Sequence, residues 1–267
     1  MDFYFLSVLI TYLWRIGFVS LGFRMRGLKI SLILSGLSML AACAQPGTVD
    51  EINDPHEAQN RKVHEFNKTV DRKVFKPVAQ AYTDVVPDPV EDAVSNFANN
   101  LSLPSNIVNQ LAQGEVGFAI ESTSIFLVNT TVGLGGLVDV AGWNGEYAHP
   151  TDFGETLAKW GMGEGTYVEL PVLGPSTERD ALGKVMDRLA NPLSGLSAEQ
   201  ESIATAAKIG EVLSDRVEYS DVIDQTLYQS ADSYSQARLF YLQSRRNQIG
   251  YEFEGEDALF EELYGSE

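Results

Sequence analysis

Residues 151–180, TDFGETLAKWGMGEGTYVELPVLGPSTERD, constrain the fold more than any other stretch of this chain. Gly161, Gly163 and Gly165 alternate with other residues. Each lacks a Cβ and tolerates positive φ, so the backbone can turn or flex here as few other segments can. The pattern predicts a short amphipathic piece from Phe153 to Trp160 on one side. On the other it predicts an extended apolar piece from Thr166 to Leu173, cut by Pro171 and closed by Gly174-Pro175. Thr177 and Asp180 then stand in capping-box spacing for a new helix. Two readings fit the stretch: a loop joining two helices, or a jointed, half-apolar flap.

Both flanks read as helical. Asp54-Pro55 suits an N-cap and first helical position, and Val63, Phe66, Val70 and Val74 recur at steps of three and four. Pro77 is expected to end or kink that helix, and a short one follows through Val78, Ala81 and Val85. Asp88-Pro89 repeats the cap before the stripe Val90, Val94, Phe97 and Leu101. After Pro104 a further helix is predicted over Ile107, Val108 and Leu111, stopping at Gly114. The segment Val116 to Val128 contains Glu121, Ser122, Thr123 and Ser124, too polar for an independent bilayer span and too apolar for exposure. A buried helix is expected there, broken by Asn129-Thr130 and by Gly133, Gly135 and Gly136.

Towards the C-terminus, Leu182, Val185, Met186 and Leu189 mark a helix ended by Asn191-Pro192. Ser197 can cap the next, whose Ala206, Ala207 and Gly210 would let a neighbour approach closely. Asp232 suits a fresh cap for Tyr234, Ala237, Arg238, Tyr241 and Arg245. The fold class expected is all-α: one domain of amphipathic helices over residues 43–250, with short extended segments.

The N-terminus reads as an address rather than as fold. Arg24, Arg26 and Lys29 precede an apolar core from Ile30 to Leu40, a signal-peptide layout that assigns residues 25–42. Leu40-Ala41-Ala42-Cys43 resembles a bacterial lipobox, and Cys43 is the only cysteine, so lipidation is expected at Cys43. Ala44 follows, where a lipoprotein retained at the inner membrane typically carries Asp, which directs the expectation to the outer membrane. Residues 1–24 are read as an upstream extension from a mis-assigned start, with a second membrane segment as the alternative.

Residues 1–43 hold four of the chain's 19 basic residues and one of its 37 acidic ones. The mature chain is therefore left with 15 against 36, a formal charge of −21. Such a surface repels nucleic acid and anionic headgroups, so no nucleic-acid function is expected and membrane contact must come from apolar burial. Residues 251–267 form an acidic tail without Lys or Arg, read as solvated, or else as a docking peptide for a basic partner.

No catalytic pattern emerges. G-x-S-x-G is absent, since Gly174-Pro175-Ser176-Thr177-Glu178 fails at its last position. His149 and Asp152 lack a third metal ligand in reach, and Val132-Gly133-Leu134-Gly135-Gly136 lacks nucleotide-binding spacing. No cofactor, metal or enzyme activity is expected.

Several passages together resemble the VacJ/MlaA family of outer-membrane lipoproteins, which maintain phospholipid asymmetry. They include Asn53-Asp54-Pro55, Asn60-Arg61, Phe66-Asn67, Lys76-Pro77-Val78-Ala79 and Ser95-Asn96-Phe97. Asn129-Thr130, Gly133 to Gly136 and Asp139-Val140-Ala141 continue the match. The densest part is Phe153-Gly154, Trp160-Gly161, Gly163, Gly165, Tyr167, Leu170-Pro171 and Arg179-Asp180. The sequence departs from the family pattern at His56 and Gln59, at Ile125 in place of an arginine, and at Glu164 and Thr166 beside the glycines.

The resemblance implies a ring of helices lying in the inner leaflet of the outer membrane around a central amphipathic channel. Its partners would be phospholipid, a trimeric outer-membrane porin and a soluble periplasmic lipid carrier, with lipid strayed into the outer leaflet passed inward. Phe66 and Asn67 would act in gating, and Gly161, Gly163 and Gly165 as the joint of a segment that helps line the channel. Two other readings stand beside it: a structural porin-docking lipoprotein and a lipid-modifying enzyme.

Overall fold

The structure is a computed structural model that describes residues 52–250, which belong to one packed unit. Cys43, the signal peptide, the upstream extension and the acidic tail lie outside those residues. Helix α1 (Glu57–Val70) passes through a wide π turn at Asp71–Phe75 into α2 (Lys76–Val85). A long α3 (Asp88–Gln113) and α4 (Val116–Thr131) follow, then a glycine-rich loop and the short α5 (Phe153–Lys159). An antiparallel hairpin, β1 (Tyr167–Leu170) with β2 (Gly174–Thr177), leads into α6 (Glu178–Ala190). The chain closes with α7 (Ala198–Glu218), the short α8 (Ser220–Asp224), a second π turn at Gln225–Gln229, and α9 (Ser233–Ile249).

Three local expectations are corrected. Asp54 does not cap α1, whose first residue follows His56 without any side-chain cap. Its carboxylate instead accepts from Asn60, Tyr234 and Arg238, so a tertiary network outcompetes the local cap. Asp88 likewise fails as a cap: it lies inside α3, whose N-cap is Pro87 without a side-chain cap. At Pro77 the helix is altered rather than stopped, one of the two outcomes expected, and the short helix follows. The π turn has already lengthened the backbone pairing, with Lys76 N–H bonded to the Asp71 carbonyl, so the chain changes pitch and continues. Pro104 does not divide α3, which runs unbroken over 26 residues. An interior proline costs about 3 kcal/mol, and the packing of α4 and α7 along α3 outweighs that loss.

Other signals act as expected. Thr177, Ser197 and Asp232 each accept a backbone N–H at the start of α6, α7 and α9, Ser197 in a full capping box with Gln200. Gly210 fits the close-approach reading, because a Cβ there would sit 2.8 Å from Val94 of α3.

The larger surprise is which faces point inward. Helix α4 exposes Ile120 at 63% and Leu127 at 54% while burying Ser122 and Asn129. Helix α3 exposes Val90, Val108 and Leu111 and buries Asn100, Asn106, Asn109 and Gln110. Along α1, Phe66 points out while Asn60 and His64 are buried. Helical periodicity is therefore obeyed with the usual sides exchanged. Among the described residues the apolar core is small, with Leu103, Ile125 and Ala141 in one cluster and Tyr167, Tyr234 and Leu242 in another. The buried helix expected over Val116 to Val128 is thus only half buried, with Ser122 and Asn129 turned inward beside Ala119 and Ile125. No helix among the described residues is long and apolar enough to cross a membrane.

Candidate functional site

Helix α3 carries Asn96, Asn99, Asn100, Asn106, Asn109, Gln110 and Gln113 on neighbouring turns, a ladder of neutral amides of which Asn100, Asn106, Asn109 and Gln110 are buried. Two adjoining cavities open against this ladder. One, of about 600 Å³, lies towards α6 and α7 and includes Leu101, Ser105, Asp187 and Arg188 in its wall. The other, of about 480 Å³, lies towards α4 and residues 139–150 and includes Asn100, Ile125, Asn129, Asp139 and Glu146. Ser102, Asn106 and Lys208 belong to both walls, so a half-buried lysine stands where the two spaces meet. Its Nζ donates to Glu211 at 2.8 Å, which spends one of its three N–H bonds.

The glycine-rich loop shapes the second cavity. Asn129 donates from Nδ2 to Asp139 at 2.8 Å and accepts from the Ala141 backbone at 3.0 Å, which folds the loop back onto α4. Gly136 has φ 95°, and a Cβ there would collide with the Asn100 side chain at 2.6 Å. Only glycine leaves that amide its place. The amide acceptor Oδ1 of Asn100 and the hydroxyl of Ser122 are buried without a hydrogen-bond partner, as are Oε1 of Gln110 and of Gln113. An interior this polar and incompletely paired suits a polar visitor better than a permanent core.

A different chemistry holds residues 152–184 to α1 and α9. Arg245 bridges Asp152 at 2.5 Å and Asp180 at 3.1 Å, and Tyr241 donates to Asp180 at 2.5 Å. Burial raises the Asp180 carboxyl, but Arg245, Tyr241 and Arg179 outweigh it and hold the group below its ordinary value. Gly154 makes room, since a Cβ would lie 2.6 Å from Asp180 and 2.8 Å from Arg245. Arg179 is wholly buried, with Nη1 donating to the Met162 carbonyl at 3.3 Å and Nε 3.5 Å from Asp180.

The hairpin is stitched to α1 by amides. Asn60 bonds the Tyr167 carbonyl and the Glu169 N–H; Asn67 bonds the Leu170 carbonyl at 2.9 Å and the Val172 N–H at 2.7 Å. The buried Glu169 carboxylate takes bonds from Tyr167 and Asn67 and faces His64 at 3.3 Å. The hairpin turn itself projects exposed Val172 and Leu173, with Val172 at a strained φ of 67° for a β-branched residue.

The predicted residues therefore fall into three groups. Asn129, Gly133, Gly135 and Gly136 shape the cavity loop; Gly154, Arg179 and Asp180 build the ion cluster, and the Phe153 N–H donates to Asp187 in the wall of the first cavity. Asn67 clamps the hairpin turn and Phe66 faces outward; neither lines either cavity. Gly161, Gly163 and Gly165 also lie outside those walls, in a segment held by Arg246 on Glu164 and by Glu178 on the Thr166 N–H. Sequence reasoning missed Lys208 and the α3 amides. The amides were visible as a polar stripe at helical spacing; Lys208, alone on its helix face, gave no signal.

A family model described as MlaA lipoprotein matches residues 52–248. The chain belongs to that family. It is 36% identical over 221 residues to the "Intermembrane phospholipid transport system lipoprotein MlaA" of Shigella flexneri, covering 81% of this chain and 86% of the relative. The protein of that description in Escherichia coli (strain K12) is 35% identical over the same shares. A solved structure described as "Structural basis for maintenance of bacterial outer membrane lipid asymmetry" superposes with a TM-score of 0.63 at 32% identity. The superposition covers 74% of this chain and 99% of that one. Membership and fold therefore agree across the described residues.

Proposed function

We propose that this protein is an outer-membrane lipoprotein that removes phospholipid from the outer leaflet and passes it to a soluble periplasmic carrier. The single observation that carries the reading is the exchange of helix faces. Phe66 of α1, Val90, Val108 and Leu111 of α3, and Ile120 and Leu127 of α4 point out, while Asn100, Ser102, Asn106 and Asn129 line the cavities beside a few apolar residues such as Leu103 and Ile125. A polar headgroup does not cross hydrocarbon cheaply: each unpaired polar group costs roughly 2–7 kcal/mol there. Neutral amides lower that cost without trapping the lipid through strong charge pairing, and Lys208 offers its ammonium where a phosphate passes between the two spaces. Exposed apolar faces larger than a few hundred Å² mark membrane or protein contact, and here they suit acyl chains of the inner leaflet.

The ring and its central channel are part of the same proposal, with the two cavities as sections of the passage. A trimeric porin would brace the outward faces. No bond in the lipid is broken in this scheme.

Deleting the gene should move phospholipid into the outer leaflet and sensitise cells to detergent with chelator, while phospholipid species stay unchanged. Restoring Lys208→Glu should leave the defect largely uncorrected at normal protein levels. New lysophospholipid or altered acyl chains in the presence of the protein would replace this reading with lipid modification. Copurification from detergent-solubilised outer membrane should bring down phospholipid and a porin together; a porin without lipid would favour the docking lipoprotein.

A further inference from the structure

We infer that the cavity walled by α3, α4 and residues 139–150 is a headgroup site selective for phospholipids that carry a primary ammonium. The inference rests on the proposed transport of phospholipid and adds the headgroup class. Three acceptors define it. Asn100 is 4% exposed and lines the cavity; its Nδ2 donates to Thr130 at 3.0 Å, while its Oδ1 has no partner. As packed, that oxygen has almost no accessible surface, so the Asn100 side chain must turn towards the cavity before an entering donor pairs with it and relieves the unmet acceptor.

Asp139 is the second acceptor. Its Oδ1 is fixed by Asn129 Nδ2 at 2.8 Å and by the Gly142 N–H at 3.0 Å. Those bonds orient the carboxylate and leave Oδ2 without a hydrogen bond among the described residues. Glu146, the third, stands exposed in the same wall. Among the described residues neither carboxylate has a Lys or Arg partner within ion-pair distance. The cation of this cavity is Lys208, on the α7 side, shared with the adjoining space.

One cation and two unpaired carboxylates in one polar space match a zwitterion better than an anion. The phosphodiester goes to Lys208, and a primary ammonium offers three N–H donors to Asp139, Glu146 and Asn100. A trimethylammonium headgroup has no donor to give, so the Asn100 acceptor stays unpaired. A glycerol headgroup carries only the negative phosphate and leaves both carboxylates uncompensated. Sites built to hydrogen-bond a ligand reject analogues that lack the group, because their own polar atoms are then left bare.

The test uses the full lipidated chain in detergent micelles. Native mass spectrometry would read bound lipid from an equimolar mixture of phosphatidylethanolamine, phosphatidylcholine and phosphatidylglycerol with identical acyl chains. Wild type should retain the ethanolamine lipid at least about tenfold over either competitor. Glu146→Lys, an exposed position safe for folding, should invert the preference towards the glycerol lipid. Asn100→Leu should erase the discrimination between ethanolamine and choline. Equal retention of the three lipids by wild type, or an unchanged preference in Glu146→Lys, overturns the headgroup site and leaves transport standing. No retained lipid of any class overturns the transport reading itself.

Discussion

The hairpin side and the cavity side of this protein are built from opposite materials. Around residues 152–184, Arg245 pairs with the half-exposed Asp152 and the buried Asp180 at 2.5–3.1 Å in a cluster that Tyr241 completes. Along α3 and α4 the interior is amide and hydroxyl, and several of those atoms have no partner. Buried ion pairs lock a single geometry because parting one partner leaves a charge in low dielectric. Neutral amides are exchangeable, and each can swap a protein partner for a ligand at little cost. One region fixes the frame; the other is free to be occupied.

That contrast is sharpest under substitution. Arg245→Met should destabilise the protein by about 3–5 kcal/mol, because the buried Asp180 loses its nearest cation; the half-exposed Asp152 adds little. Adding Asp180→Asn should recover part of the loss. Asn106→Leu, at the junction of the two cavities, should change stability by less than about 1 kcal/mol while impairing lipid removal. Chemical denaturation beside an assay of outer-leaflet phospholipid reads both. If Arg245→Met were as mild as Asn106→Leu, the division into a frame and an occupied region would fail.

Acid should unpick the ion-paired clusters first, that frame among them. Asp180 is held below its ordinary value although burial opposes ionisation, and Asp71 is likewise lowered by Arg216 and Tyr228 against its burial. Asp224 follows through Lys76 and Arg216, again against burial. In the unfolded chain these carboxyls protonate near 3.9, above their folded values. The unfolded state therefore binds protons first as pH falls, and the stabilisation, full above about pH 4, is lost as pH drops through the folded values. Hydrogen exchange followed by mass spectrometry should show α9 losing protection before α3 and α4. Asp180→Asn should flatten the decline. Simultaneous loss throughout would show that the two regions are not separately held.

Much of the architecture was legible because its signals are local. The caps at Thr177, Ser197 and Asp232, the stop at Gly114 and the close approach at Gly210 each depend on a few neighbouring residues. What was not legible is the side each helix presents. The stripe through Phe66 and Val74 has the spacing of a core face, yet those residues are exposed while Asn60 and His64 are buried. Periodicity fixes that a stripe exists; which medium lies beyond it decides the direction. The cavity followed from that inversion and was hidden for the same reason. Long-range partners were also invisible: nothing near Asp54 announces Tyr234 and Arg238, nor does Gly154 announce Arg245.

The smallest effects concern the three glycines, which the sequence presents as equivalent and the structure does not. Gly161 has φ 92° and Gly165 φ 74°, both in the left-handed region, while Gly163 does not take a positive φ. A Cβ on Gly165 would also meet the Glu178 side chain at 2.5 Å, whereas Gly161 and Gly163 face open space. Alanine at Gly161 should therefore cost about 1–2 kcal/mol through backbone conformation alone. At Gly165 the cost should be larger, because Glu178 must also release its bond to the Thr166 N–H. Gly163→Ala should be near neutral in stability. If lipid removal nevertheless falls in Gly163→Ala, this glycine is needed for a conformation other than the one described, and the segment moves as a joint. If lipid removal is untouched in Gly163→Ala and declines in the other two only in step with stability, residues 161–165 belong to the frame, and the moving part of the protein lies on the amide side.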